Sequence, residues 1–250
     1  MQGRSSLELW RVKRAVLSLV LSSGVCISLL LFRSYAMKEH GFGFIVWNLV
    51  LAWIPVLFAF VIYVLHTLGA HRRSLIVVCA VIWFLFYPNA PYLVTDLIHI
   101  KWGPESPIWF DLLLMMTVAW TGLLLGNISL YLMQEVIRVW RGRAAGWLFS
   151  AGMLALGSIG VFVGRFWRWN SGDVLFDPIK LASKTNEHLH STSFGEAALF
   201  LGTFFAFSSL TYATLYTFVH LHSDSPSAPH DLPPSSDVME KPVAMEAPLR

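Results

Sequence analysis

The sequence predicts an all-α fold, a polytopic membrane helix bundle with about six transmembrane helices and both termini cytoplasmic. Hydrophobic residues make up 56% of the 250-residue chain and charged residues only 13%, whereas a soluble domain carries roughly 25% charged residues. The mean hydropathy is +0.59. A chain this apolar cannot cover a surface that faces water, so the lipid bilayer is its expected solvent.

Apolar stretches long enough to cross roughly 30 Å of hydrocarbon recur along the chain. The predicted spans cover residues 15–32, 44–66, 74–87, 108–133, 146–166 and 194–221. They form one membrane-embedded helical domain over 15–221, between a basic cytoplasmic N-terminus (1–14) and a Pro-rich cytoplasmic tail (222–250) that is predicted to be disordered. The first apolar run is too long for a signal peptide and lacks a small-residue cleavage site, so we interpret it as a retained anchor.

The distribution of basic residues predicts the orientation of the bundle. With the N-terminus inside, the second and fourth loops are also inside, and arginines concentrate there: Arg72, Arg73, Arg138, Arg141 and Arg143. The exception is the long outer loop that follows Arg165, although long loops constrain orientation weakly. The net charge of +3 is explained by these loops, so we expect no nucleic-acid partner.

Small and polar residues inside the spans predict closely packed helices. Two spans carry glycines at four-residue spacing, which lets helix backbones approach each other, and the fourth span carries two amides suited to interhelical hydrogen bonds: Gly122 with Gly126, Gly160 with Gly164, Asn127 and Gln134. We interpret Asn48 and His66 as residues that bound the second span.

The segment Tyr87–His99 carries the most informative polar pattern. Pro88 and Pro91 interrupt the third span after about 14 residues, and Asn89 is suited to cap a new helical turn. If the following residues are helical, four polar side chains share one face: Tyr92, Thr95, Asp96 and His99. Such an interrupted span is typical of the discontinuous helices that line membrane binding sites.

A second polar group is predicted at the same outer membrane face. Arg165 and Arg168 are spaced i, i+3 at the outer end of the fifth span, and Asn170 and Asp173 follow them. Asp111 opens the fourth span at this level. The topology therefore predicts a polar outer-face site that combines this group with the Asp96 segment.

Three interpretations of this site remain open. In the first, Asp96 or Asp111 pairs with Arg165 or Arg168 and fastens the helix ends together, because charges at membrane depth are usually paired. In the second, the two arginines grip a phosphate or carboxylate, as an enzyme or carrier for a lipid or sugar phosphate requires.

The third interpretation is metal-assisted or acid–base catalysis. Asp96 and His99 lie one turn apart and can share an ion, with His188 and His190 of the long outer loop completing the ligands. The pattern alone predicts no metal centre, and Asp96 with His99 can instead act as an acid–base pair. The sequence identifies no cofactor and no protein partner.

These alternatives lead to two function hypotheses. One is a transferase or hydrolase acting on a lipid-phosphate or envelope substrate, with Asp96 and His99 as catalytic groups and Arg165 and Arg168 holding an anion. Asn89, Tyr92, Thr95, Asp111, Asn170 and Asp173 would then belong to the ligand site. The other is a non-catalytic transport or membrane-assembly subunit in which the polar residues are structural ion pairs.

Three sequence blocks resemble a known family. The block from Phe86 to His99, with its Pro-Asn-Ala-Pro-Tyr core, is similar to the signature of the bacterial membrane family named domain of unknown function 1361. Further matches run from Thr121 to Gly126 with Ser129–Tyr131, and from Gly160 to Phe166 through Trp169–Ser171. The similarity covers roughly residues 45–220. It implies a multi-pass protein of the bacterial inner membrane and no particular reaction.

Overall fold

The bundle is built from helices alone in the part of the chain that the computed structural model describes, residues 2–37, 42–69, 72–100, 107–168 and 193–220. The helices are α1 (Gln2–Met37), α2 (Gly43–Thr67), α3 (Arg73–Phe86), a short α4 (Asn89–Tyr92) that continues as 3₁₀ turns over Leu93–His99, α5 (Ile108–Arg141), α6 (Arg143–Phe166) and α7 (Phe194–His220). Within these described ranges, six helical segments are long and apolar enough to cross a membrane, and the third of them runs from Arg73 to His99. The predicted all-α fold with about six spans is confirmed, while the predicted Pro-rich tail lies outside the described residues.

The central element of the bundle is α5, because it is the helix that buries the most residues. Leu114, Val118, Leu125 and Leu130 are all fully buried along its length. One apolar cluster packs α1, α2 and the start of the 3₁₀ turns against the first half of α5. A second cluster packs α2, α3, α6 and α7 against its second half. α5 therefore holds the other spans in register.

α1 is packed into the bundle through polar as well as apolar contacts. Cys26 on α1 is fully buried, and Ser22 Oγ lies 2.6 Å from Thr121 Oγ1 of α5. The indole nitrogen of Trp53 on α2 donates to Ser23 Oγ at 3.0 Å. Interhelical hydrogen bonds of this kind stabilise helix association in lipid.

The third span is interrupted at Pro88, as the sequence predicts, but its backbone stays helical. Pro88 has φ −62° and ψ −21°, and the Tyr92 amide still donates to the Pro88 carbonyl at 3.0 Å. The prediction that Asn89 caps the new turn was wrong. Its side-chain amide donates backwards to the Phe86 carbonyl at 3.1 Å, because the chain tightens here and the Ala90 amide bonds to Tyr87 instead.

The segment after α4 winds more tightly than the α-helix that the sequence predicts. Seven residues, Leu93–His99, form 3₁₀ turns, which have three residues per turn and are uncommon beyond 3–4 residues. Side chains three apart therefore align in rows, with Tyr92 above Thr95 and Asp96 above His99. The four polar residues form two neighbouring rows rather than one helical stripe.

Glycines on α5 and α6 pack closely against the interrupted segment from both sides. A Cβ added to Gly160 of α6 would lie 2.5 Å from Pro88 Cγ, and one added to Gly122 of α5 would lie 2.6 Å from the Ala90 carbonyl oxygen. No side chain fits at either position without displacement. The missing side chains of these glycines therefore let the interrupted span pack closely between α5 and α6.

Candidate functional site

A buried carboxylate lies at the centre of the polar cluster. Asp96 is only 1% exposed, and its Oδ2 accepts a hydrogen bond from Asn48 Nδ2 of α2 at 3.0 Å. Its Oδ1 forms an ion pair with Arg165 Nη2 at the end of α6. The carboxylate therefore connects α2, the 3₁₀ turns and α6, and its charge is compensated as a charge at membrane depth requires.

Arg165 is held in place by three neighbours. Its Nε donates to Thr95 Oγ1 at 2.9 Å, and its guanidinium carbon lies 4.4 Å from the centre of the Tyr92 ring, a cation–π distance. The Thr95 hydroxyl in turn donates to the Tyr92 carbonyl at 2.7 Å. The guanidinium is thus oriented by Thr95, Asp96 and Tyr92.

His99 lies at the exposed edge of the cluster, with its side chain 40% accessible. Its Nδ1 is 3.2 Å from the Asp96 carbonyl oxygen. Since a carbonyl only accepts, that hydrogen bond places the proton of the neutral ring on Nδ1 and leaves Nε2 unprotonated. Nδ1 is 3.9 Å from Asp96 Oδ1, too far for a hydrogen bond. His99 is therefore not bonded to the Asp96 carboxylate directly, and its ring packs 4.9 Å from that of Phe44.

A cavity of about 290 Å³ adjoins the cluster between α2, the end of α3 and α6. Along α6 it extends from Met153 to Gly164, about 16 Å at 1.5 Å per residue. Asn48 and Tyr92, which contact Asp96 and Arg165, both line it. Exposed apolar side chains border the remainder, namely Trp47, Phe84, Leu156 and Ile159. The cavity is therefore apolar along most of its length and polar beside the ion pair.

The structure brings five of the predicted site residues together and separates the others. Tyr92, Thr95, Asp96, His99 and Arg165 form the cluster described above. Asn89 lines the cavity. Arg168 is exposed, has a left-handed backbone (φ 56°) and forms no ion pair with any residue in the described ranges. Asn170, Asp173, His188 and His190 lie outside the described residues.

Asp111 was expected to join this cluster, and the structure shows it in an ion pair with another helix. Asp111 pairs instead with Arg33 at the end of α1, because α1 packs beside the start of α5. Within the described ranges no three His, Cys, Asp or Glu side chains come close enough to hold a metal. The metal alternative thus depends on His188 and His190, which the structure does not describe.

Two residues of these ion-pair networks were not assigned from the sequence. Asn48 was interpreted as an end of the second span, yet it is a partner of Asp96. Arg33 falls just beyond the predicted first span (15–32), yet α1 continues to Met37 and the Arg33 side chain reaches Asp111. Both could have been identified from the sequence, because a polar residue inside an apolar helix needs a partner.

The fold and the site together define a multi-pass integral membrane protein with a buried polar cluster beside an interrupted span. The chain belongs to the family described as Protein of unknown function (DUF1361), whose profile matches residues 47–211, about two thirds of the chain. The match includes the interrupted span, α5, α6 and most of α7. No curated protein and no solved structure is significantly similar to the chain.

Proposed function

We propose that this protein binds an amphipathic lipid with an anionic head group in a bacterial cytoplasmic membrane and acts on it as a transferase or hydrolase. The observation that carries the proposal is the continuity between the lateral cavity and the Asp96–Arg165 pair through Asn48 and Tyr92. Apolar walls suit an acyl or isoprenyl chain, and a few convergent polar groups fix its head. The basic-loop distribution and the family resemblance favour the bacterial cytoplasmic membrane.

Arg165 is the proposed anion-binding group. A guanidinium has five N–H donors, and the hydrogen bonds to Thr95 and Asp96 use two of them. The remaining donors can bind a phosphate bidentately, as arginine does better than lysine. In this role Asp96 positions the guanidinium and is not itself a proton acceptor.

His99 is the proposed proton-transfer group, since its ring lies at the exposed edge of the cluster and a neutral imidazole with its proton on Nδ1 keeps Nε2 as the basic nitrogen. Nε2 would take a proton from an attacking hydroxyl, which belongs to water in a hydrolase or to an acceptor in a transferase. A phosphorus–oxygen bond forms to that hydroxyl while the bond to the leaving oxygen breaks. The imidazolium then returns the proton to the leaving oxygen.

Lipid binding tests the proposal. The purified protein, reconstituted in zwitterionic nanodiscs, would be titrated with a long-chain isoprenyl monophosphate and with the matching uncharged alcohol. We expect the phosphate to bind at least about tenfold more tightly than the alcohol, since charge-assisted hydrogen bonds are worth about 1.5–3 kcal/mol. Combining Asp96→Asn with Arg165→Gln should remove this preference without leaving a buried unpaired charge.

A bulky substitution at the cavity mouth provides the matched control. Ile159→Trp should weaken binding of both lipids, whereas Leu199→Trp, at an exposed apolar position on α7, should leave both unchanged. Phosphate release from lipid phosphates measures the reaction, and His99→Gln should abolish it while binding persists. Equal binding of phosphate and alcohol by the parent protein would contradict the proposed site.

A non-catalytic transport or assembly subunit is the second candidate. It is favoured by the close packing of Gly122 and Gly160 against the segment that carries Asp96. In that arrangement the Asp96–Arg165 pair fastens the interrupted span to α6, and no ligand is required. The two candidates differ in whether exchanging the charges of Asp96 and Arg165 should restore function as well as stability.

A further inference from the structure

The opposite end of the bundle contains a second cavity, which is separate from the Asp96 cluster. It encloses about 540 Å³ between the end of α2, the start of α3 and the end of α5. His66 and Trp140 lie on its border with their ring centres 5.6 Å apart. Asn48 and His66 both lie on α2, separated by about 27 Å at 1.5 Å per residue, so the two cavities lie at opposite ends of the bundle.

The lining of this cavity combines one cation with apolar and interfacial side chains. Arg73 lines it at the first turn of α3, beside Ile76 and Val77. Trp140 is more than half exposed, as suits a ring at the boundary between head groups and hydrocarbon. Val77 is also exposed, so the apolar wall continues onto the outer surface of the bundle.

The charges around this cavity are predominantly positive. At this end of α2, α3, α5 and α6, the charged side chains within the described ranges are five arginines and one glutamate: Arg72, Arg73, Arg138, Arg141, Arg143 and Glu135. Glu135 is paired with Arg138 on the same helix. The cavity therefore opens at a strongly positive face, which complements an anion.

We infer that this cavity binds the head group of an anionic phospholipid. Arg73 contacts the phosphate, Trp140 and His66 pack against the glycerol region, and the acyl chains follow Val77 along the outer surface of α3. Basic pockets between transmembrane helices are suited to such head groups. A lipid is favoured over a free anion because the cavity wall leads directly onto exposed apolar surface.

Native mass spectrometry of the full-length protein tests the inference. Protein released from nanodiscs of phosphatidylcholine with phosphatidylglycerol should retain phosphatidylglycerol preferentially. Arg73→Gln should lower that retention about tenfold, because it removes a charge-assisted hydrogen bond to the phosphate. Trp140→Leu should also lower it. Arg143→Gln removes the same charge at the same face without touching the cavity lining, and should change retention by less than twofold.

Three outcomes would overturn the inference. Equal retention of the two lipids excludes a head-group site, and equal losses in Arg73→Gln and Arg143→Gln indicate general surface charge. Displacement of the lipid by millimolar inorganic phosphate indicates a free-anion site. Arg73 is exposed, so its variant is expected to fold, and an unchanged thermal midpoint verifies this. The result does not depend on the site at Asp96.

Discussion

Arg33 and Asp111 form a bidentate ion pair that joins the end of α1 to the start of α5. Arg33 Nε lies 2.7 Å from Asp111 Oδ1, and Nη2 lies 3.1 Å from Oδ2. The side chains are only 6% and 4% exposed, and the guanidinium carbon lies 4.2 Å from the Phe42 ring centre. Among the described residues, the bundle thus contains two buried ion pairs that join different helices, and the one at Asp96 lies beside the cavity lined by Asn48 and Tyr92.

We expect Asp111→Ala to destabilise the protein strongly, because it leaves Arg33 buried without its carboxylate. Removing one partner of a buried pair typically costs about 3–5 kcal/mol. The free energy of unfolding in mild detergent measures the effect. Glu196→Ala, which removes an exposed acid on α7, should change it by less than about 0.5 kcal/mol. Replacing Arg33 and Asp111 together with leucines should recover most of the loss, and no recovery would contradict a pairwise origin.

Exchanging the charges of the other pair separates its structural role from a ligand role. Asp96→Arg and Arg165→Asp should each destabilise the protein, and the double exchange should restore much of the stability because opposite charges again meet. Lipid-phosphate binding should stay lost in the double exchange, since the guanidinium no longer stacks on Tyr92. Recovery of binding and of cellular function together would favour the purely structural interpretation.

Gly160→Ala should disturb the interrupted span. The new Cβ would lie 2.5 Å from Pro88 Cγ and 2.7 Å from Pro88 Cβ, and proline offers no flexible side chain that can move aside. We expect a loss of about 1–3 kcal/mol, typical of overpacking, measured by thermal unfolding. The matched control on the same helix is Gly152→Ala, where a Cβ meets nothing within 4 Å. Equal effects at both positions would show that helix propensity, not packing, governs the change.

The sequence was sufficient to predict an all-α fold with about six spans and the interruption of the third span at Pro88. An apolar run long enough to cross the bilayer must form a helix there, because its backbone groups find no other partners in lipid. Proline interrupts such a helix because it has no backbone N–H to donate. The pairing of Asp96 with Arg165 was one of the alternatives left open, because both residues fall at the same membrane depth.

Which carboxylate pairs with which arginine could not be predicted from the sequence. The predicted topology puts Asp111 at the same membrane face as Asp96, yet Asp111 pairs with Arg33, which is 78 residues away in the chain. Which helix ends are neighbours depends on side-by-side packing, and charge pattern alone does not encode it. The 3₁₀ winding after Tyr92 was also missed, since the polar spacing of Leu93–His99 was interpreted with the period of an α-helix.

A buried amide cluster should stabilise the contact between α5, α6 and α7. Gln134 Oε1 accepts hydrogen bonds from Ser150 Oγ at 2.7 Å and from the Tyr212 hydroxyl. We expect Gln134→Leu to cost about 1–2 kcal/mol, the upper range for interhelical hydrogen bonds in membranes. Adding Tyr212→Phe to that variant should cost less than the same change in the parent protein. Strict additivity in this double-mutant cycle would show that the two groups do not interact.

The orientation of the bundle is testable because the native cysteines, Cys26 and Cys79, are both buried and should not react with a membrane-impermeant maleimide. Ser193 precedes α7 and Leu68 follows α2, and both side chains are exposed. Since basic residues concentrate in the loops predicted to be cytoplasmic, Ser193→Cys should be labelled in intact cells. Leu68→Cys should be labelled only after permeabilisation. The reverse pattern would place Asp96 and His99 at the cytoplasmic face, so a substrate would have to reach them from that side.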